Sequence, residues 1–239
     1  AASGADVALI TRGGYGLTRI LAQVPFRAIA RSVERGTRWV GMSDFTALQL
    51  ALLAKTGAST WAGPALGDDF GVDGEVDEVM SACFTDLLAH QGEGAGWRLP
   101  AAEATSWASG PAVLWGGNLA VLSALVGTSY LKAPARGLLF LEDVHEHPYR
   151  IERMLTQLLH AGVLGRQRAI LMGQFSRYQL TPHDRGFRLA SVVAWLRSQL
   201  RVPVFTGLPF GHVPTKVLLP VGAKARLMVE GRDALLYWG

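Results

Sequence analysis

Short apolar runs alternate with segments of helical periodicity along most of this chain, and no other feature limits its fold so strongly. "VALIT" (7–11), "RWVGM" (38–42), "GLLFLED" (137–143), "RAILMGQF" (168–175) and "VPVFTGLPFGH" (202–212) read as buried strands. Between them, "LTRILAQV" opens a helix after the glycine turn "RGGYG" (12–16), and "SDFTALQLALLAKTG" (43–57) carries a helix closed by Gly57. "VDEVMSACFTDLLAH" (76–90), "PYRIERMLTQLLHAG" (148–162) and "LASVVAWLRSQL" (189–200) complete the series, with Pro148 in a first turn and Gly162 at a helix end. Parallel strands need a long crossover, usually a helix, so this alternation predicts an α/β fold with largely parallel sheets.

The 239 residues are 49% apolar and 18% charged, enough to bury a substantial core in one large domain or two smaller ones. Residues 91–112, "QGEGAGWRLPAAEATSWASGPA", show no clear periodicity and are rich in Gly, Ala, Ser and Pro. A domain boundary belongs there, giving an amino-terminal α/β domain over 1–97, a linker over 98–112 and a carboxy-terminal domain over 113–239. The formal charge of +4 is scattered, with no basic run longer than a pair and no interleaved aromatic stripe. That pattern speaks against a nucleic-acid groove and allows a small anionic ligand. Cys83 is the only cysteine, which excludes an internal disulfide and a cysteine-rich metal site. The long uncharged stretch 110–131 is broken by "WGGN" and reads as a buried turn and helix rather than a membrane span.

Ligands of parallel sheets gather at the carboxyl ends of strands. Three reactive side chains stand at such ends: Ser43, Glu142 and His212. A serine hydroxyl needs a base to take its proton, and the base needs a carboxylate to fix its tautomer. "GMSD" (41–44) at a strand-to-helix turn suits a nucleophile, although it lacks the second glycine of a G-x-S-x-G elbow; an N-cap is the alternative. Glu142 has a neighbour, Asp143, which strand alternation puts on the opposite face, and either could cap the next turn. His212 could equally be a hydrogen-bonded loop histidine. "HEH" (145–147) before Pro148 reads as a polar cap region rather than a metal site, and "TRGGYG" (11–16) lacks the lysine and hydroxyl of a phosphate loop. A tight turn bringing backbone N–H groups to a substrate is its simpler reading.

Together the motifs resemble the LD-carboxypeptidase family, serine peptidase family S66. The matching pieces are "TRGGYG", "GMSDFTALQ" (41–49), "GP" (63–64), "LWGGNLAVLSALVGT" (114–128), "LFLEDVHEHPYRIERMLTQLLHAG" (139–162), "TGLPFGH" (206–212) and "LPVG" (219–222), in the family's order over nearly the whole chain. The resemblance implies a flavodoxin-like or amidotransferase-like amino-terminal domain, here without its first βα units, and a smaller carboxy-terminal β/α domain. Strands missing from a parallel sheet would expose an edge. It further implies Ser43 as nucleophile, Glu142 rather than Asp143 as carboxylate and His212 as base. Main-chain N–H groups of Asp44 and Gly14 would form the oxyanion hole, with Arg12, Trp115 and Asn118 as candidate substrate contacts. For the last two, a purely structural turn at "WGGN" stands as the alternative, and Ala62 replaces a residue that is polar in many relatives.

The implied reaction is cytoplasmic: release of terminal D-alanine from a murein tetrapeptide during cell-wall recycling, without metal or cofactor. The expected partner is this small anionic peptide, with neither nucleic acid nor membrane, and a homodimer is compatible. A microcin-type self-immunity peptidase of the same family and a non-catalytic muropeptide-binding remnant are the other two expectations.

Overall fold

The computed structural model describes residues 1–238 and contains two β-sheets with helices packed against them. The first half of the chain runs β1 (Val7–Leu9), α1 (Leu17–Ile20), α2 (Phe26–Glu34), β2 (Arg38–Gly41), α3 (Thr46–Thr56), β3 (Thr60–Ala62), α4 (Glu78–Ala89), β4 (Gly94–Arg98), β5 (Thr105–Ala108) and β6 (Ala112–Asn118). The second half continues with α5 (Leu119–Ala124), β7 (Leu138–Val144), α6 (Pro148–His160), β8 (Ala169–Ser176), α7 (Leu189–Gln199), β9 (Val204–Phe205), β10 (Leu219–Val221), β11 (Lys224–Gly231) and β12 (Asp233–Tyr237). The expected α/β class is therefore present.

The smaller sheet has the order β1-β2-β3-β10, its first three strands parallel and β10 antiparallel to β3. In the larger sheet the order is β4-β12-β11-β6-β7-β8-β9, with β5 also paired to β11. Strands β6 to β9 form its parallel portion. Leu138 to Leu141 of β7 are all fully buried, as expected of a parallel strand covered on both faces. Helix α6 buries Ile151, Leu155 and Leu158, spaced for one helical stripe, beneath that sheet. Pro148 occupies its first turn and Gly162 follows it at φ +68°.

Helix α3 is apolar nearly all round because it lies between two cores. Ala47, Leu50 and Ala51 join the large cluster around β6 and β7, while Leu48 and Leu52 pack with Ile29, Ala30 and Phe45. It ends at Gly57, whose φ of +74° is the left-handed conformation that closes many helices.

Residues 91–112 hold β4 and β5, which pair with β12 and β11. The small sheet takes β1 to β3 from before that stretch and β10 from after it, while every strand of the large sheet lies within or after it. Two expectations change. The "WGGN" segment is strand β6 leading into α5, not a turn, and its glycines are in the strand because neighbours crowd it. A Cβ on Gly116 would lie 1.9 Å from the Phe140 carbonyl oxygen, and one on Gly117 2.5 Å from Thr46 Oγ1. The strand expected over 202–212 is only β9, with a single further bridge between Gln174 and Gly211. Among the described residues, no helix is long and apolar enough to cross a membrane.

Candidate active site

Strand β2 delivers Met42 in extended conformation, and the next residue, Ser43, turns abruptly to φ +61°. Left-handed backbone costs a non-glycine residue on the order of 1–3 kcal/mol and persists where its surroundings impose it. Here the chain passes at once into a 3-10 turn, Ser43–Phe45, anchored by buried Phe45 and continued by α3. The cap alternative does not apply: neither the turn nor α3 has a side-chain cap, and the Ser43 hydroxyl has no hydrogen-bond partner among the described residues. Half-buried, it faces a cleft of about 600 Å3. From the glycine turn, it is Gly13 rather than Gly14 that adjoins the serine. A side chain at position 13 would fall 2.9 Å from Ser43 Cβ and Oγ, whereas position 14 opens onto empty space and does not line the cleft.

His212 lines the same cleft, on the loop between β9 and β10. Its Nδ1 lies 2.7 Å from Glu142 Oε2. Glu142 is 0% exposed and the imidazole 18% exposed. An ionised carboxylate only accepts, so Nδ1 carries the proton and donates, which leaves Nε2 as the basic nitrogen. The loop itself is tied down where Ser176 Oγ donates to the His212 carbonyl at 3.0 Å.

Behind this pair sits a polar network that strand alternation did not predict. The Asn118 side-chain amide donates to Glu142 Oε1 at 3.2 Å and to Asp143 Oδ1 at 2.9 Å. Glu142 and Asp143 reach one partner because the register of β7 against β8 shifts between Leu141 and Asp143. Asp143 also accepts from the backbone N–H groups of Ala120 and Val144, each at 2.9 Å. Burial, with the neighbouring Glu142 charge adding to it, nevertheless pushes its carboxyl up to about 6. Asn118 caps α5 by accepting from Val121 N–H, and its own N–H donates to Thr46 Oγ1 at 3.1 Å. A chain of contacts thus runs from the helix behind Ser43 to the carboxylate behind His212.

Of the other expected contacts, Arg12 and Asp44 line the cleft. Asn118 does not, being 5% exposed and committed to the carboxylates. Trp115 is corrected outright: it is 0% exposed, on the core side of β6, and donates to Gln167 Oε1 at 3.0 Å. Buried Lys216, which sequence reasoning missed, pairs with Asp69 across the cleft floor and touches Met42 Sδ. Its signal was faint, a single lysine in a loop. In "HEH", Glu146 pairs with Arg150 and the His147 ring with Asp184. Among the described residues, no group of three or more His, Cys, Asp or Glu is arranged to hold a metal ion.

Comparison with known proteins agrees across sequence and structure. Residues 1–63 match the LD-carboxypeptidase N-terminal domain and residues 111–227 the LD-carboxypeptidase C-terminal domain. A Bacillus subtilis (strain 168) protein named "Probable murein peptide carboxypeptidase" is 32% identical over 230 residues, 95% of this chain and 70% of that one. The crystal structure of muramoyltetrapeptide carboxypeptidase from Oxalobacter formigenes superposes with a TM-score of 0.88 at 39% identity, covering 98% of this chain and 78% of that one. The Escherichia coli microcin C7 self-immunity protein MccF is 26% identical over 220 residues, 81% of this chain and 63% of that one. Two matched domains in order, with relatives above 30% identity over most of both lengths, place the chain in the LD-carboxypeptidase family, serine peptidase family S66.

Proposed function

We propose that this protein hydrolyses the L,D-peptide bond of murein tetrapeptides and releases the terminal D-alanine, with Ser43 as nucleophile, His212 as general base and Glu142 as the carboxylate that orients it. The observation carrying this reading is the Glu142–His212 contact at 2.7 Å, beside a serine held in a left-handed turn of the same cleft. In the first half-reaction, His212 Nε2 takes the hydroxyl proton as Ser43 Oγ bonds to the carbonyl carbon between the diamino acid and D-alanine. Glu142 stabilises the imidazolium, and the Asp44 N–H together with the glycine turn faces the oxyanion. The imidazolium then protonates the leaving amine as the C–N bond breaks. Water, deprotonated by the same nitrogen, attacks the acyl ester and frees Ser43.

The names of the murein-peptide relatives support the substrate, and with it a role in the cytoplasmic recycling of cell-wall fragments. The relation to MccF supports the second reading, a self-immunity peptidase. One of its solved complexes contains aspartyl sulfamoyl adenosine, at an identity that speaks only for the fold.

Mass spectrometry of a murein tetrapeptide, and separately of aspartyl sulfamoyl adenosine, after incubation with the chain tests both. The expected result is loss of one alanine from the tetrapeptide and none of it with Ser43→Ala, a drop of at least about four orders of magnitude. Turnover of the nucleoside compound alone would move the assignment to the immunity reading. Binding without turnover by the folded parent would leave a muropeptide-binding module.

A further inference from the structure

The two walls of the cleft differ in charge. The wall built from residues before 80 contributes six carboxylates, from Asp44 to Asp77, and one fixed cation, Arg12. From residues beyond 140 come His145, Arg177, His212 and Lys216, and no carboxylate. An exopeptidase must recognise the free carboxylate at the end of its substrate, which calls for a cation near the nucleophile that is not already neutralised.

Of the three fixed cations, Lys216 is committed to Asp69, with both side chains almost wholly buried. Arg12 stands on a turn hydrogen-bonded to the acidic segment, Leu66 N–H donating to the Ile10 carbonyl at 2.8 Å and Gly67 N–H to that of Thr11 at 2.7 Å. Its guanidinium, also exposed and without an ion pair among the described residues, stands on the wall that carries all six carboxylates. The Arg177 guanidinium has no ion pair or side-chain hydrogen bond among the described residues, and it is exposed on the wall free of carboxylates.

Its backbone, by contrast, is held firmly. Arg177 has φ +58° and His145, at the end of the adjacent strand, φ +61°. His145 Nδ1 donates to the Arg177 carbonyl at 3.0 Å, and His145 N–H to the Ser176 carbonyl at 2.9 Å. Ser176 Oγ in turn holds the loop of His212. Two neighbouring strand ends therefore keep non-glycine residues in a costly conformation, and they hold Arg177, its guanidinium unpaired, on the lining of the cleft next to Ser176, which ties down the His212 loop.

We infer that Arg177 binds the terminal carboxylate of the substrate and so makes the enzyme select chain ends. This rests on the peptidase reading above. The guanidinium fork matches a carboxylate with two parallel hydrogen bonds, which a carboxamide end cannot reproduce.

The test compares kcat/KM for a tetrapeptide ending in free D-alanine with its terminal carboxamide, using the parent, Arg177→Gln, Arg177→Lys and Arg12→Gln. The parent prefers the acid. Arg177→Gln loses about ten- to a hundredfold on the acid and nearly nothing on the amide, so the preference collapses. Arg177→Lys recovers part of it, since it restores charge without the fork. If Arg177→Gln keeps the parent's ratio, or Arg12→Gln is the variant that abolishes it, the assignment is wrong while the peptidase stands. A parent that turns over neither peptide removes both.

Discussion

The serine and the histidine of this cleft are placed by different means. Ser43 is positioned by backbone: a left-handed turn, a glycine at 13 where a Cβ would fall 2.9 Å from the serine side chain, and a helix packed on two cores. His212 is positioned by side chains, through Glu142, Asn118 and Asp143 in series, with hardly any of that network in contact with water. Steric placement tolerates change in charge and pH, whereas a buried polar network works only while every member keeps its partner. The two halves of the site should therefore fail in different ways.

The largest effect should come from Glu142→Gln, which preserves shape but loses the charge and the fixed tautomer. We expect kcat to fall by about 10^4-fold with little change in KM and an unchanged fold. A variant within tenfold of the parent would mean that His212 does not depend on this carboxylate. Lys216→Met tests the ion pair joining the two walls. It leaves Asp69 buried and uncompensated, and denaturant unfolding should show a loss of about 3–5 kcal/mol, most of it recovered by also changing Asp69 to Leu. Equal stability of the single variant and the parent would show that the pair is not the tie between the walls.

Asn118→Ala strips donors from two carboxylates and the cap from α5. A stability loss of about 2–3 kcal/mol should accompany a lower kcat, while Thr46→Val, on the nucleophile side, should leave kcat nearly intact. Loss of activity in both would erase the distinction between the walls. The smallest signal lies in pH. Because the Asp143 carboxyl is raised from 3.8 to about 6, the folded state holds its proton more firmly than the unfolded state between those values. Its contribution to stability is therefore greatest at low pH and declines as pH rises from about 4 to about 6. Asp143→Asn should flatten the slope of stability against pH within that window only, as read from thermal unfolding in a series of buffers.

Much of the parallel architecture was legible because its strands are continuous apolar runs and its helices end in Gly57 and Gly162 or begin at Pro148. Ser43, Glu142 and His212 were legible as reactive groups at strand ends, and the structure brings those ends to one place. What escaped has specific causes. Strands β4 and β5 are poor in apolar residues and exist by pairing with β12 and β11, more than a hundred residues away. Gly116 and Gly117 read as a turn, yet they mark close approach of Phe140 and Thr46 to a strand. Asp143 joined the network of Glu142 through a shift of register, which no two-residue alternation reveals. Trp115 lies next to the informative motif in sequence but on its core face.

Strand β10 carries one more implication. Its pairing with β3 means that the small sheet under Ser43 receives its last strand from residues 219–221. On the ribosome, Ser43 emerges 176 residues ahead of Leu219, and the β3 edge of the sheet that supports it stays open until that strand has been made. Lys216, which closes the floor of the cleft against Asp69, arrives on the same late segment. A nascent chain thus exposes its serine long before the setting around it is complete.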